Sequence, residues 1–167
     1  MATPTPSEVP LPAGAERVRL ALSEQGADRA SAGVRLLDDS ARTAAEAAAA
    51  LGVGVPQIVK SMVFAADGVA VLVLTAGDHR VDPAKVAALL GAAQVERADP
   101  DLVRAATGFA IGGVAPVGHP GPLRTLVDVD LAQHEVVWAA AGHPKAVFPT
   151  TYDELLRITA GTPAEVA

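Results

Sequence analysis

Two features of the chain could do chemistry. Lys60 lies in an apolar run, Gln57-Ile58-Val59-Lys60-Ser61-Met62-Val63-Phe64, and a glycine-rich segment, Gly112-Gly113-Val114-Ala115-Pro116, follows well downstream. Alternate side chains of a strand share a face, which places Lys60 with Ile58, Met62 and Phe64. An ammonium there is costly unless an anionic or strongly polar group meets it. The flanking run supplies none, so the partner must come from elsewhere in the fold or from a ligand. Glycines let backbone approach a ligand closely, and Pro116 stiffens the exit of the bend. Ser61 adds a hydroxyl beside the lysine. A single lysine can hold a polar or anionic group as a point charge. Each feature also has a purely structural reading. The Lys60 stem could pack while its ammonium reaches a carboxylate such as Asp78, and Gly112-Gly113 could be an ordinary turn.

Other site chemistries find no support. A phosphate-binding Walker loop ends in Gly-Lys-Ser/Thr, whereas His119 follows Gly118. Gly52-Val53-Gly54 begins a dinucleotide fingerprint, but Gln57 stands where its third glycine belongs. His79, His119, His134 and His143 show no paired metal-ligand spacing, and there is no Gly-x-Ser-x-Gly elbow. Neither a metal nor an organic cofactor is expected. Asp128 and Asp130 read as a turn and a helix cap, and Lys85 as a residue on a solvated face.

The chain has 167 residues, half of them hydrophobic but only 3% aromatic, so one core built mainly from Ala, Val and Leu is expected. Cysteine is absent, which excludes thiolate chemistry and disulfides and fits a reducing compartment. The N-terminal Met1-Ala2-Thr3-Pro4-Thr5-Pro6-Ser7 has no signal-peptide character, and the apolar stretch Val69 to Leu74 is too short to span a bilayer. A cytoplasmic protein without a membrane partner is expected. The net charge is −6, with 13 Lys and Arg spread along the chain. Long contacts with nucleic acid need a basic patch, so DNA is not an expected partner, and any RNA contact should involve a small piece such as an end.

These residues need elements to position them. Pro4, Pro6, Pro10 and Pro12 mark residues 1–13 as a disordered, proline-rich leader, with residues 14–167 forming one domain. A helix is expected over Glu16 to Gln25, closed by Gly26, then a strand at Val34 to Leu37 running into Asp38-Asp39-Ser40. Thr43 and Glu46 form a capping box for a helix ending at Leu51-Gly52. The Lys60 strand turns back at Asp67-Gly68 into Val69 to Leu74, an antiparallel hairpin. Asp82-Pro83 and Asp99-Pro100 open two helices closed by Gly91 and Gly108, with a short strand at Val95 between them. Strands follow at Leu123 to Val129 and Val136 to Ala140, and a last helix begins near Thr151 with Glu154 completing its capping box. Such irregular alternation with hairpins predicts a mixed α/β (α+β) fold, a mixed sheet with helices around it.

The ordered set Thr43-Ala44-Ala45-Glu46-Ala47-Ala48, Gly52, Gln57-Ile58-Val59-Lys60-Ser61, Gly77-Asp78, Asp82, Lys85-Val86, Gly91, Ala98, Val103, Thr107-Gly108-Phe109, Gly112-Gly113-Val114-Ala115-Pro116, Asp128 and Ala141-Gly142 resembles the YbaK/EbsC family. These are free-standing relatives of the editing domain inserted in bacterial prolyl-tRNA synthetase. The likeness runs from about Ala15 to Ala160. It implies a curved mixed sheet and hydrolysis, in trans, of small amino acids wrongly attached to tRNA. Lys60 matches the functional lysine that holds the acyl-adenosine end, and Gly112 to Pro116 match the Gly-x-x-x-Pro loop whose amides face the ester carbonyl. On this reading Lys60, Gly112, Gly113 and Pro116 are the catalytic group. Ser61, Met62, Phe109, Val114, Ala115, Gly142 and His143 contact substrate, with Met62, Phe109 and Val114 as candidate walls of the acyl pocket. The implied partners are a tRNA acceptor end carrying a small amino acid and an aminoacyl-tRNA synthetase.

One departure stands out. Relatives specialised for cysteine carry a Ser-Gly-Gly-Lys-Arg-Gly-Leu-Asp-like stretch, whereas this chain reads Ala140-Ala141-Gly142-His143-Pro144-Lys145-Ala146-Val147. Ala140 and Val147 replace the polar Ser and Asp, which speaks against cysteinyl specificity and introduces His143. The rival reading is a non-catalytic binder that uses the same pocket for a nucleotide, an aminoacyl-tRNA end or a partner protein.

Overall fold

The computed structural model describes residues 10–38 and 43–167. The expected leader falls mostly on residues 1–9, and Asp39 and Ser40 continue the first expected strand; both lie outside the described residues. Helix α1 spans Ala13–Glu24, three residues earlier than its charge pattern suggested, and α2 (Asp28–Ala32) follows. Strand β1 is reduced to Arg35–Leu36. Thr43 caps α3 (Ala44–Leu51) by accepting from the Glu46 amide at 3.1 Å, and Gly52 closes it with φ +70°. A 3₁₀ turn, Val55–Gln57, delivers the chain to β2 (Ile58–Ala66). β3 (Val69–Ala76) returns antiparallel through Asp67 (φ +50°) and Gly68 (φ +84°), both left-handed as a type I′ turn demands.

Helix α4 (Pro83–Leu90) and helix α5 (Pro100–Thr107) flank β4 (Val95–Arg97), with Asp82 and Asp99 as their side-chain caps. The chain ends in β5 (Thr125–Asp128), a 3₁₀ turn (Val129–Gln133), β6 (Val137–Ala140), β7 (Ala146–Thr150), α6 (Tyr152–Thr159) and β8 (Thr162–Ala164). Helix α2 and strands β7 and β8 had no counterpart in the sequence reading. Pro149 and Pro163 sit inside β7 and β8, and proline argues against a strand on sequence grounds alone.

All eight strands join one sheet in the order β1-β7-β6-β2-β3-β5-β8, with β4 also pairing β2. Pairs β2–β6, β3–β5 and β5–β8 are parallel and the rest antiparallel, so the mixed sheet is as expected. One face packs Val59, Val63, Leu72, Leu74, Val127 and Phe148 against α1, α5 and α6, forming the main core. The other face carries two smaller clusters. Ile58 and Trp138 pack with Ala47 and Ala48 of α3, and Phe64, Val73 and Leu126 pack with Val86 of α4.

This division positions the site. Strand β2 sends Ile58 to the α3 cluster and Met62 and Phe64 to the α4 cluster. Lys60, between them on the same face, sits on the seam where neither helix covers the sheet. The edge of β2 is interrupted at the same place. β6 pairs with Ile58 and Val59, and β4 resumes only at Phe64, so residues 60–63 have no strand on that side among the described residues.

Candidate functional site

A cleft of about 540 Å³ opens at this seam. Lys60, Ser61 and Met62 line it from β2, and Ile111, Gly112 and Val114 line it from the loop after α5. Thr43, Ala44 and Ala45 from the start of α3, Gly77 from the turn after β3, and Ala140 from the end of β6 complete the wall. Gly77 must be glycine, because a Cβ there would lie 2.3 Å from the Val55 carbonyl oxygen.

Lys60 is partly buried. Its ammonium donates to the backbone carbonyl of His79, a partner supplied by the fold and different from the Asp78 carboxylate that sequence suggested. Burial pushes the ammonium below the ordinary lysine range; the charge of Asp78 opposes that shift and the charge of Arg97 adds to it. An ammonium has three donors, and among the described residues only the His79 carbonyl engages one, which leaves two for a ligand. The Ser61 hydroxyl is buried and has no hydrogen-bond partner among the described residues. Ser61 as a residue lines the cleft.

The glycine loop is more divided than its sequence suggested. Gly112, at φ +93°, and Val114 reach the cleft. The Gly113 amide is occupied by the Ala110 carbonyl at 3.1 Å, and Pro116 has no N–H, so neither can donate to a ligand. Among the described residues no backbone acceptor engages the amides of Gly112, Val114 or Ala115. Ala115 is fully buried, and Pro116 faces a separate groove of about 760 Å³ with Gly118, His119 and Arg124. Phe109 is not in the cleft wall. It is buried in the main core with the Arg17 guanidinium 4.1 Å above its ring. Gly142 approaches Gly14 of α1 so closely that a Cβ on either would strike the other's carbonyl oxygen, at 2.5 and 2.1 Å. His143 lines a small neighbouring cavity that shares Ile58, Val59, Gly112 and Ala140 with the cleft, and its Nδ1 accepts from the Lys145 amide at 3.1 Å.

Two histidines passed over in the sequence hold this architecture. His119 meets the Ala115 carbonyl through Nε2 at 2.8 Å. Burial lowers its proton affinity, against the Ala115 hydrogen bond and with the help of Arg17, so the neutral ring donates from Nε2 and pins the loop. His79 presents Nδ1 to Asp128 at 2.7 Å and Nε2 to Asp130 at 3.0 Å. Asp128 is the turn cap expected of it, accepting from the Asp130 amide, but it also accepts from Thr75 and Ala76. The Asp130 side chain pairs with His79 and does not act as a cap. Spacing along the chain could not find this cluster, because residues 79 and 128 meet only across β3 and β5.

A lysine, a hydroxyl and two loop peptides around a cleft of this size can bind a small polar ester and withdraw charge from its carbonyl. A family described as "Aminoacyl-tRNA editing domain" matches residues 38–158. The chain is 41% identical over 91 residues to a proline–tRNA ligase of Nitratidesulfovibrio vulgaris, covering 54% of this chain and 16% of the ligase. It is 33% identical over 134 residues to that of Geobacter sulfurreducens, covering 73% of this chain and 23% of the ligase. The chain thus spans a minor part of these ligases. A crystal structure of a candidate trans-editing enzyme for prolyl tRNA synthetase superposes with a TM-score of 0.85 and 44% identity, covering 94% of this chain and 98% of that one. The chain belongs to the aminoacyl-tRNA editing domain family.

Proposed function

We propose that this protein hydrolyses the ester between a small amino acid and the terminal ribose of a mischarged tRNA, acting in trans. The observation that carries the reading is the convergence of Lys60, Ser61, Gly112 and Val114 on one cleft. Its volume of about 540 Å³ lies within the range of small-ligand sites and leaves room for an acyl-adenosine end.

Each group takes a role from its chemistry. The Lys60 ammonium anchors the substrate through a phosphate or the polar acyl group, using the two N–H donors that His79 leaves free. The amides of Gly112 and Val114 stabilise the oxyanion that forms when water attacks the ester carbonyl; one such donor contributes about 3–4 kcal/mol. Aminoacyl esters are activated, and a ribose hydroxyl of the substrate can orient the water, so no protein base is required. Met62, Ile111 and Val114 bound the acyl group. A synthetase pocket separates side chains differing by one methylene by only about 1–3 kcal/mol, so a second and smaller sieve is needed to destroy the wrong product. The net charge of −6 fits contact limited to the acceptor end. The match to proline–tRNA ligases points to a synthetase as the companion protein.

A panel of tRNAs mischarged with small amino acids tests this. Wild type should release at least one amino acid catalytically, and Lys60→Ala should abolish release while keeping its circular dichroism spectrum and melting temperature. Saturable binding of the panel with no turnover would establish a binder in place of the enzyme.

A further inference from the structure

We infer that His79 is the positioning residue for Lys60, held for that task by Asp128 and Asp130; the inference takes the role of Lys60 from the function proposed above. His79 is fixed at four points. Its amide donates to the Ala76 carbonyl at 2.9 Å, and its carbonyl receives the Lys60 ammonium. Its ring lies between two carboxylates, Nδ1 on Asp128 Oδ2 at 2.7 Å and Nε2 on Asp130 Oδ2 at 3.0 Å. Both ring nitrogens thus lie at hydrogen-bond distance from a carboxylate oxygen, which fixes the plane and rotation of the ring.

Asp128 supplies the rigidity. It is 1% exposed and accepts from Thr75 Oγ1, the Ala76 amide and the Asp130 amide, each at 3.0 Å. A path of hydrogen bonds therefore runs from the buried end of β5, through the His79 ring and its own carbonyl, to the ammonium on β2. The turn at Gly77 and Asp78 is closed by the bond from the His79 amide to the Ala76 carbonyl, and the ring contacts add the restraint that sets the direction of the His79 carbonyl. Lys60 has four flexible side-chain bonds and stands on an uncovered seam, and that carbonyl is the acceptor that fixes its reach.

The same three residues invite a reading as a metal site, and the geometry argues against it. Two ligand atoms about 2.0–2.2 Å from one ion lie roughly 3 Å or more apart at tetrahedral or octahedral angles, and a separation of 2.7 Å is that of a hydrogen bond. Both Asp128 oxygens are also committed to protein donors.

The test uses the full chain and two readouts. The Asp130 side chain is 45% exposed, so Asp130→Ala should leave the fold intact while freeing one side of the ring; Asp130→Glu restores a carboxylate. His79→Ala removes the ring altogether. The sequence has only three lysines, Lys60, Lys85 and Lys145, so the Lys60 ammonium can be followed in ¹H–¹⁵N spectra after assignment with Lys60→Arg. Its signal should be protected from exchange in wild type, broadened in His79→Ala and Asp130→Ala, and recovered in Asp130→Glu. On a mischarged tRNA that wild type cleaves, KM should rise roughly tenfold in His79→Ala, the weight of one charge-assisted hydrogen bond, with kcat changed far less. An unchanged Lys60 signal in both alanine variants overturns the inference, whatever happens to KM. The spectra need no substrate, so they decide the question even if the deacylation reading fails.

Discussion

Ser61→Ala should make the protein more stable and less active, two opposite effects from one lost oxygen. Ser61 lines the cleft, and its hydroxyl is buried with no partner among the described residues. Leaving a buried hydroxyl unsatisfied costs about 1–3 kcal/mol. Removing it recovers that amount, less a small void term of about 24 cal/mol per Å³, roughly 0.3 kcal/mol for one oxygen. The expected gain is about 1–2 kcal/mol. For a chain of this size that raises Tm by about 2–8 °C. If the hydroxyl instead finds its partner on the substrate, its loss removes one hydrogen bond of about 0.5–1.5 kcal/mol, which lowers kcat/KM roughly two- to thirteenfold. Calorimetry and deacylation kinetics on the same preparation read both quantities. A fall in Tm would mean the hydroxyl is satisfied within the protein. A raised Tm with unchanged kcat/KM would mean the substrate never meets it. Either result refutes the argument.

Other perturbations test the surroundings of the site. Gly142→Ala forces a left-handed backbone (φ +81°) at about 1–2 kcal/mol and drives a methyl against the Gly14 oxygen and the Phe109 ring, whereas Gly26→Ala (φ +75°) carries the backbone cost alone with no atom within 4 Å. Gly142→Ala should therefore melt several degrees below Gly26→Ala in a thermal scan. The affinity for a non-hydrolysable, amide-linked aminoacyl-adenosine should fall as pH rises through a value below the ordinary lysine range near 10.4, because burial lowers the Lys60 pKa and only the ammonium anchors. Lys60→Arg should flatten that dependence when titrated by calorimetry. Burial alone would raise the Asp128 carboxyl, but hydrogen bonds from Ala76, Asp130, His79 and Thr75 outweigh it and leave the group depressed. Its contribution to stability is thus full above the usual Asp value near 3.9 and lost as pH falls through the depressed value, and Asp128→Asn should remove that part of the acid slope in urea titrations.

What was legible in the sequence was local. The threonine caps at Thr43 and Thr151 (each, among the described residues, without the return contact of a full capping box), the Asp82-Pro83 and Asp99-Pro100 starts, and the Asp67-Gly68 turn each depend on residues within one turn of one another. The strand β2 and its lysine were legible for the same reason. The partner of Lys60 was not, because the His79 carbonyl is a backbone group whose position depends on two carboxylates about fifty residues away. The division of the Gly112–Pro116 loop was hidden as well. Which amides face the cleft depends on the Gly113–Ala110 turn bond and on His119 holding Ala115, neither of which has a periodic signature. Phe109, a candidate wall of the acyl pocket on the family resemblance, lies in the main core instead. Its neighbour in space is Arg17 of α1, and the glycine-to-glycine contact at Gly14 and Gly142 draws that helix inward.

The site lies where the fold is least complete, and that location explains its chemistry. β6 and β4 share one edge of β2 but stop short of each other, and α3 and α4 cover one face of the sheet while leaving Lys60 between their clusters. Closing either gap with a longer strand or a larger apolar side chain would bury more surface and stabilise the domain. It would also remove the space that the ester needs and leave the ammonium without water or substrate. Burial at the seam already disfavours the charged lysine, so the charge survives through specific compensation: a carbonyl held by His79 and the field of Asp78. The unsatisfied Ser61 hydroxyl follows the same logic. Groups prepared for a ligand are partly unpaired before it arrives, which is why stability and activity should move in opposite directions when they are altered.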